Sequence, residues 1–344
     1  MDRGLKRKQL NRLWQIAHSK RLLKRKRHNS KEHPRGKALP KEYQQHRGHF
    51  VTAPHELGLI GDYRDQTLTF YKEVLHVILS CTVREHVYFN FENITKITND
   101  AIMYIIALIN NVQRVKAYQI EIAGNMPKDT DAREVIEKSG FYRYVSSPGH
   151  RMEYRETGNI QITGGREADG VLAGQMCDFV HRVCNKNIND TKRLFPMIME
   201  LMTNTRQHAY SPKSVMDNKW YIFAESFPDG VHFVFLDTGD GIPGTIQKKI
   251  LERIIDKIPL ANDTLADAKY ISSALRGEFR TETKKEYRGK GLPEVYNDSC
   301  KGTISELAII SGLGMCRVGH DCKIEEIPLK SEFVGTMFSW KFNK

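Results

Sequence analysis

Segments of helical and of strand periodicity alternate along the chain between residues 65 and 145. The helical segments are DQTLTFYKEVLHVILSC, TNDAIMYIIALINNVQRV and DTDAREVIEKSGFYRYV, and the strand-like segments between them are HVYFNFENI and YQIEIAG. In HVYFNFENI the apolar residues Val87, Phe89 and Phe91 recur at every second position, so they share one face. Because strands joined through a helix pair in parallel, this order predicts an α/β layer built on a parallel sheet.

The ends of two of these helices carry recognisable signals. Asn99 or Asp100 supplies an Asx cap for the second helix. Gly140 lies where a left-handed residue would end the third helix. The pattern predicts a first α/β domain over residues 52–150.

A second α/β segment runs from residue 171 to residue 344. Its predicted order is helix, long helix, two strands, an irregular stretch, helix and two strands, the strands being WYIFAES, VHFVFLD, ISELAIIS and FVGTMFSWKF. The tight turn FPDG between the first two strands indicates antiparallel pairing. Helices packed on one face of this sheet would give a two-layer α/β sandwich. The stretch ETGNIQITGGREADG between the two segments is interpreted as a glycine-bearing connector.

The excess positive charge lies in a basic N-terminal arm and linker, residues 1–45. Residues 1–37 contain fourteen Lys or Arg and two acidic residues, a net charge of +12 that equals the charge of the whole chain. Lys and Arg bind phosphates by releasing counterions, so nucleic acid is one expected partner of residues 1–37. An anionic membrane surface and a protein partner are further interpretations, and a solvated tail is the alternative without a binding role.

Cysteine usage and hydropathy bear on the compartment. Six scattered cysteines indicate reduced thiols and a cytoplasmic location. No apolar run approaches the ~20 residues that cross a bilayer, and the basic N-terminus lacks the apolar core of a secretion signal. Cys316, His320 and Cys322 lie close enough to suggest a metal, but they lack a fourth ligand and a CxxC pair, so zinc is the less favoured interpretation.

The apolar helix LFPMIMELMTNTRQHAY carries a polar stripe. Glu200, Asn204 and His208 recur at four-residue spacing and project from one face. The amide oxygen of Asn204 suits Mg²⁺, which takes oxygen ligands. Glu200, one turn away, could orient or deprotonate a water aimed at a terminal phosphate. His208 either contacts phosphate or caps the core, and the alternative for Glu200 is a simple salt bridge.

The stretch FVFLDTGDGIP contains a carboxylate at the end of an apolar strand. Asp237 could there accept a hydrogen bond from an exocyclic amine deep in a pocket. Gly239 and Gly241 would let the backbone approach a flat ring. The alternative interpretation is an ordinary Asp-Gly turn after a strand.

The stretch YRGKGLPEVYND places Gly289 and Gly291 immediately before a helix. Backbone N–H groups at a helix N-terminus bind anions, and Arg288 and Lys290 add positive charge. A Gly-x-Gly pair is a weak signal by itself, so its weight comes from its order after the two preceding motifs.

In this order the motifs resemble the N, G1 and G2 boxes of the GHKL ATPases, a superfamily of gyrase, ninety-kilodalton heat-shock chaperones, histidine kinases and mismatch-repair ATPases. The matching stretches are Glu200–Ala209 (E-x-x-x-N-x-x-x-H-A), Asp237–Ile242 (D-x-G-x-G-I), Gly289–Leu292 (G-x-G-L) and the pair Gly335-Thr336, which is expected to open the last strand. The resemblance implies a Bergerat-type ATP domain over residues 171–344, with an ATP lid at residues 243–288.

The resemblance also implies roles for individual residues, with ATP and Mg²⁺ as ligands. Asp237 would bind the adenine amine, Asn204 would hold Mg²⁺, and Glu200 would be the general base. The residues implied to contact the nucleotide are Asn204, His208, Asp237, Gly239, Gly241, Ile242, Arg288, Gly289, Lys290, Gly291, Leu292 and Thr336.

Residues 81–145 resemble the STAS domain of anti-sigma-factor antagonists. In that family a strand ending in a sequence like FIDSSG opens a helix, and a serine there accepts phosphate. The matching stretch is KITNDA, so Asn99 and Asp100 stand where the serines would be. The missing hydroxyl argues against phosphorylation at this point.

The combined expectation is a bacterial regulatory protein that binds Mg²⁺–ATP, hydrolyses it slowly and switches a protein effector encoded nearby. Homodimerisation stays open. The alternative is a serine/threonine protein kinase of the anti-sigma-factor type that acts on a STAS-domain partner. A third hypothesis is a nucleic-acid-associated regulator in which ATP controls the basic arm. A histidine kinase is not favoured, because residues 150–175 lack the heptad pattern of a dimerising hairpin.

Overall fold

The structure, a computed structural model, describes residues 48–81, 85–115, 120–145, 158–187, 191–208, 216–251, 264–278 and 291–344. These residues belong to one compact unit. The basic N-terminal arm lies outside the described residues. None of the helices in the described ranges has the length and apolar content needed to span a bilayer.

The chain is a mixed α/β protein with parallel and antiparallel sheets. The strands are β1 Gly48–Thr52, β2 Glu56–Leu57, β3 His86–Asn90, β4 Lys96–Ile97, β5 Glu121–Gly124, β6 Asn159–Gly165, β7 Trp220–Phe227, β8 Gly230–Asp237, β9 Ile304–Val318 and β10 Ile324–Asn343. The helices are α1 Arg64–Ser80, α2 Asn99–Val115, α3 Thr130–Ser139, α4 Gly170–Cys184, α5 Leu194–His208, α6 Gly241–Leu251, α7 Ala266–Arg276 and α8 Gly291–Cys300.

The N-terminal segment contains a parallel sheet in the order β1-β3-β5, which confirms the predicted strand direction. Val51 on β1 pairs with Phe89 on β3, and Phe89 pairs in turn with Gly124 on β5. Val87, Phe89 and Phe91 are all buried, so they form the single apolar face that their spacing predicts.

Two helix ends in this segment were predicted, and the structure confirms the end at Gly140 but not the cap at Asn99 or Asp100. Gly140 follows α3 with a φ of +86°, the expected left-handed conformation. Helix α2 begins at Asn99, and Asp100 lies in its first turn. The Asp100 carboxylate accepts hydrogen bonds from the N–H groups of Leu59 and Ile60 at 3.2 and 3.1 Å. Asn99 and Asp100 are thus the first residues of α2 and not its cap, and the Asp100 side chain instead holds the loop before α1.

The second segment contains an antiparallel sheet in the order β6-β7-β8-β10-β9. Its edge strand β6 is a correction, because residues 159–165 were interpreted as part of a connector. Gly164 and Gly165 pair with Tyr221 and Trp220. A Cβ on either glycine would lie 2.6 or 2.5 Å from an atom of these aromatic rings. The glycines that suggested a loop therefore allow two large rings to pack against an edge strand.

The last two strands are longer than predicted. β9 and β10 contain 15 and 20 residues and form an antiparallel hairpin with register shifts, one of them between Phe333 and Thr336. Gly335 and Thr336 consequently lie inside β10, so the expectation that they open the last strand was wrong. The stretch expected to be irregular after β8 contains helices α6 and α7.

Both faces of the antiparallel sheet are buried. On β7, Trp220 and Ile222 belong to a core shared with helices α4, α5, α7 and α8. Tyr221 and Phe223, on the opposite face, belong to a core shared with α1, α2 and α3. The expectation of helices on one face was therefore incomplete, because the N-terminal segment covers the other face. The unbroken apolar run WYIFA is typical of a strand buried on both sides.

Candidate functional site

Asp237 ends β8 between two neighbouring strands. It pairs with Thr336 on β10 and with Trp220 on β7. The Gly239 N–H donates a 2.9 Å hydrogen bond to Asp237 Oδ1. Burial raises the pKa of Asp237 to about 6, while hydrogen bonds from Gly239 and from the Thr336 hydroxyl oppose the rise. At neutral pH this carboxylate is ionised and is a strong acceptor for an N–H donor.

Ser311 on β9 connects the turn after Asp237 to the middle of β10. The Ile242 N–H donates to Ser311 Oγ at 3.0 Å. The Ser311 hydroxyl donates to the Gly335 carbonyl oxygen at 2.8 Å and lies 3.3 Å from Thr336 Oγ1. Sequence reasoning missed Ser311, because a single serine inside an apolar strand belongs to no motif.

Two glycines of this group have backbone conformations that other residues rarely adopt. Gly335 has a φ of +100°, and a Cβ there would lie 2.0 Å from the Asp237 carbonyl oxygen. Gly241 has a φ of +76°, and a Cβ there would lie 2.7 Å from Ser311 Oγ. Glycine therefore lets β8, β10 and the start of α6 approach one another closely around Asp237.

Glu200 and Asn204 meet the first residue of helix α8. The Asn204 side chain and the Gly291 N–H both hydrogen-bond to the Glu200 carboxylate. A Cβ on Gly291 would lie 2.2 Å from Glu200 Cγ. Burial raises the pKa of Glu200 and nearby Glu294 raises it further, while the two hydrogen bonds oppose the rise. The Glu200 carboxylate thus occupies the N-terminus of a helix, where an anion is favoured.

The loop before β7 links the residues around Glu200 to the residues around Asp237. Asn218 Nδ2 donates to the Thr205 carbonyl oxygen at 3.0 Å. The Thr238 N–H donates to the Lys219 carbonyl oxygen at 2.9 Å, and the Lys219 N–H donates to Thr238 Oγ1 at 3.1 Å. Because Thr205 follows Asn204 and Thr238 follows Asp237, one short loop ties the two groups together at one end of the sheet.

Several predicted site residues lie outside the described part of the chain. They include Arg288, Gly289, Lys290 and the side chain of His208. The described part of the predicted lid forms most of α6 and all of α7. Leu292 is half-buried and packs against the core below α8.

A cavity of about 580 Å³ lies at the edge of the same sheet, between the end of β6 and the start of β7. Arg166 and Lys219 line it, but Arg166 is paired with Asp217. Burial lowers the pKa of Lys219, and nearby Arg166 lowers it further. Of the predicted nucleotide residues that the structure describes, none lines this cavity.

Cys316 belongs to the core rather than to a metal site. Its Sγ donates to the Ala268 carbonyl oxygen at 3.2 Å. Among the described residues, Cys316, His320 and Cys322 do not form a group with converging ligand atoms. The less favoured zinc interpretation therefore gains no support from the fold.

Comparison with protein-family models and with curated proteins gives no relative from which a function could be transferred. No protein-family model matches the chain. No curated protein matches it either. The motifs and their geometry therefore carry the functional assignment.

Proposed function

We propose that this chain binds Mg²⁺–ATP through the two groups around Asp237 and Glu200 and hydrolyses it slowly as a regulatory switch. The observation that carries the proposal is the meeting of motifs from distant parts of the sequence. Asp237 pairs with Thr336 across the sheet, and Glu200 lies so close to Gly291 that a Cβ on this glycine would be 2.2 Å from Glu200 Cγ. If Asp237 belonged only to an ordinary Asp-Gly turn and Glu200 only to a salt bridge, nothing would require these contacts to occur at one end of the same sheet.

The architecture supports a Bergerat-type ATP domain over residues 171–344. Its support is an antiparallel sheet with the later helices on one face, Asp237 at the end of a strand and Gly291 at the start of a helix. The parallel β1-β3-β5 sheet with its helices supports a STAS-like domain over residues 52–150. Residues 1–45 remain a basic arm in this division of the chain.

In the proposed complex, Asp237 recognises the adenine amine. Its carboxylate is ionised above a pKa of about 6 and is fixed by Gly239 and Thr336. An ionised acceptor held in place before the ligand arrives loses little freedom on binding. Gly241 and Gly335 keep side chains away from the backbone beside it.

At the phosphate end, Asn204 offers an amide oxygen to Mg²⁺, which when bound would neutralise phosphate charge. The raised pKa of Glu200 makes its carboxylate a better base than an exposed glutamate. Glu200 would orient the attacking water and accept its proton. Since Glu200 now accepts from the Gly291 N–H, a phosphate at the start of α8 would compete for that donor.

The kinase alternative requires a separate STAS-domain partner. Asn99 stands where a STAS serine would accept phosphate, and its Nδ2 donates to Glu225 Oε2 on β7 at 2.8 Å. This position is therefore bonded within the chain and has no hydroxyl. Incubation with γ-labelled ATP separates the outcomes: free phosphate supports hydrolysis, whereas label transferred to an added STAS protein supports the kinase.

Calorimetric titration of Mg²⁺–ATP tests the binding proposal. Asp237→Asn replaces an acceptor oxygen with an NH₂ donor facing the adenine amine, at a cost of ~1–3 kcal/mol or more in binding. Asp178→Asn, on an exposed position of α4, is the matched control and keeps wild-type affinity. Wild-type affinity in folded Asp237→Asn would exclude Asp237 as the adenine-binding residue.

A further inference from the structure

Three metal-ligating side chains of different types converge at one end of the parallel sheet. His49 lies on β1, Cys81 directly follows α1, and Glu85 directly precedes β3. A ring nitrogen of His49, the Sγ of Cys81 and a carboxylate oxygen of Glu85 all lie within 4.8 Å of one another. His49 Nε2 is 3.3 Å from Glu85 Oε2. Among the described residues, this trio is the group whose spacing could hold a metal ion.

The local fold explains why these residues meet. β1 and β3 are parallel neighbours, with Gly48 opposite His86, so His49 and Glu85 lie at the same end of the sheet. Helix α1 ends beside them, where the Cys81 N–H donates to the Val77 carbonyl oxygen at 3.0 Å. No sequence motif indicates the group, because 31 residues lie between His49 and Cys81.

The three side chains are buried to different degrees, as expected for a coordination site that is open to solvent on one side. Cys81 is buried, with 5% of its surface exposed, while His49 and Glu85 are 40% and 28% exposed. A buried thiolate is costly without a cation beside it. The two half-exposed ligands leave a path for solvent to reach the ion.

We propose that His49, Cys81 and Glu85 bind a borderline divalent cation, with Zn²⁺ as the best match. Thiolate, imidazole and carboxylate are the three ligand types that zinc takes in proteins, at ~2.3 Å for sulfur and ~2.0–2.2 Å for nitrogen and oxygen. Those lengths put tetrahedral ligand atoms about 3.3–3.7 Å apart, so the observed group needs side-chain shifts of roughly 1 Å or less. The fourth position takes water or an exchangeable ligand.

The bound cation would cross-link the start of β1 to the end of α1 and the start of β3. Ligands that bind only the folded state stabilise it by mass action. The site lies away from Asp237 and Glu200 in the sequence, and it does not depend on the proposed ATP activity. A hydrogen-bonded His–Glu pair beside a buried thiol is the competing explanation, and it predicts no metal affinity.

Titration of the chelator-treated full-length protein with Co²⁺, and with Zn²⁺ against a chromophoric chelator, tests the proposal. We expect one equivalent of Co²⁺ to bind with a thiolate-to-metal absorption band, and Zn²⁺ to displace it. Cys81→Ser should abolish the band. His49→Ala and Glu85→Gln, at half-exposed positions, should each weaken binding at least 10-fold while leaving the protein folded.

Cys322→Ser is the matched control, because it removes a thiol from the alternative trio near residue 320 and should leave the band unchanged. At the same concentration, Zn²⁺ should also raise the Tm of the wild type by more than that of His49→Ala. The proposal is overturned if the wild type binds no stoichiometric Co²⁺, or if the His49 and Glu85 variants bind it as tightly as the wild type. A band that disappears in Cys322→Ser would assign the metal to the other trio and overturn it as well.

Discussion

Asn111 Nδ2 donates a 3.2 Å hydrogen bond to Thr238 Oγ1, which joins helix α2 of the N-terminal segment to the residue next to Asp237. Asn111 is fully buried, and the Tyr221 hydroxyl approaches its Oδ1 at 3.4 Å. Nearer the start of α2, the Tyr104 hydroxyl accepts from the Val334 N–H at 3.0 Å. Helix α2 therefore contacts β10 and the residue that follows β8, from the face opposite the later helices.

The first prediction concerns this link. Asn111→Ala removes the donor to Thr238 and leaves the Tyr221 hydroxyl without its acceptor, so we expect a loss of ~1–3 kcal/mol in the free energy of unfolding. Because Thr238 also fixes Lys219, the position of Asp237 should loosen and ATP affinity should fall several-fold. Denaturant unfolding and calorimetry measure the two effects.

Asn110→Ala is the control for that variant. Asn110 bonds only within its own helix among the contacts described, through Nδ2 to the Ile106 carbonyl oxygen at 3.0 Å. It should leave ATP affinity unchanged. Equal ATP affinity in Asn111→Ala and the wild type would show that α2 supports the fold without affecting the nucleotide site.

The second prediction concerns Gly335. A Cβ at its φ of +100° would lie 2.0 Å from the Asp237 carbonyl oxygen, so Gly335→Ala must separate β10 from β8. We expect a loss of ~2–4 kcal/mol in stability, from backbone strain and displaced packing. Gly174→Ala is the contrast, because a Cβ in that helix meets nothing within 4 Å and should stabilise by up to ~1 kcal/mol. Comparable unfolding midpoints for the two variants would contradict the close approach at Gly335.

The third prediction is a pH dependence of stability. The pKa of Asp237 rises from 3.8 to about 6 on folding, so between those values the folded protein holds a proton that the unfolded chain has released. Its contribution to stability is present below about pH 4 and is lost as the pH rises through 6. At 1.36 kcal/mol per pH unit, the loss amounts to ~3 kcal/mol at most.

Asp237→Asn cannot titrate and supplies the reference for that measurement. Relative to this variant, the nucleotide-free wild type should become less stable between pH 4 and pH 7, as measured by denaturant unfolding at each pH. A constant difference across this range would show that Asp237 has an ordinary pKa in the folded protein.

The sequence predicted the parts of the fold that depend on local periodicity. Helix α2, strand β3 and the β7–β8 hairpin follow directly from apolar spacing and turn residues. Strand β6 was missed because Gly164 and Gly165 resemble a loop until the rings of Trp220 and Tyr221 are known to occupy the space above them. That information lies 55 or more residues away and cannot be recovered from a local window.

The same limit applies to the candidate site. Asp237 and Glu200 were found because their motifs combine chemistry with spacing. Ser311 was missed, since its hydrogen bonds to Ile242 and Gly335 depend on how β9, β10 and the start of α6 pack together. The contact of Glu200 with the start of α8 likewise depends on tertiary packing, although both residues had been assigned to motifs.

The fourth prediction concerns the basic arm. Deleting residues 1–37 removes a net charge of +12 and none of the described core, so the remaining chain should fold. Any affinity for duplex DNA or RNA should fall sharply and lose its salt dependence in fluorescence anisotropy. Replacing the Lys and Arg of residues 20–27 with Gln keeps the length and should reproduce part of the loss. Unchanged nucleic-acid binding by the truncated protein would exclude the arm as the binding segment.

The fifth prediction concerns Glu200, for which the structure offers two roles. Its carboxylate accepts from the Gly291 N–H, so it caps helix α8, and it has the raised pKa expected of a general base. Glu200→Ala removes both properties. Loss of the cap alone should cost ~0.5–2 kcal/mol in stability.

Glu200→Gln separates the two roles, because its amide oxygen can still accept from Gly291 but cannot take a proton. If Glu200 is the base, this variant should keep near-wild-type stability and bind Mg²⁺–ATP, while its turnover falls by roughly 10²–10⁴-fold. Asn204→Ala should instead weaken Mg²⁺–ATP binding itself, since it removes the proposed metal ligand. Glu73→Gln, on an exposed position of α1, controls for the loss of one negative charge. If Glu200→Gln releases phosphate at the wild-type rate per folded molecule, Glu200 acts only as a helix cap, and the protein binds ATP as a sensor without using this residue for hydrolysis.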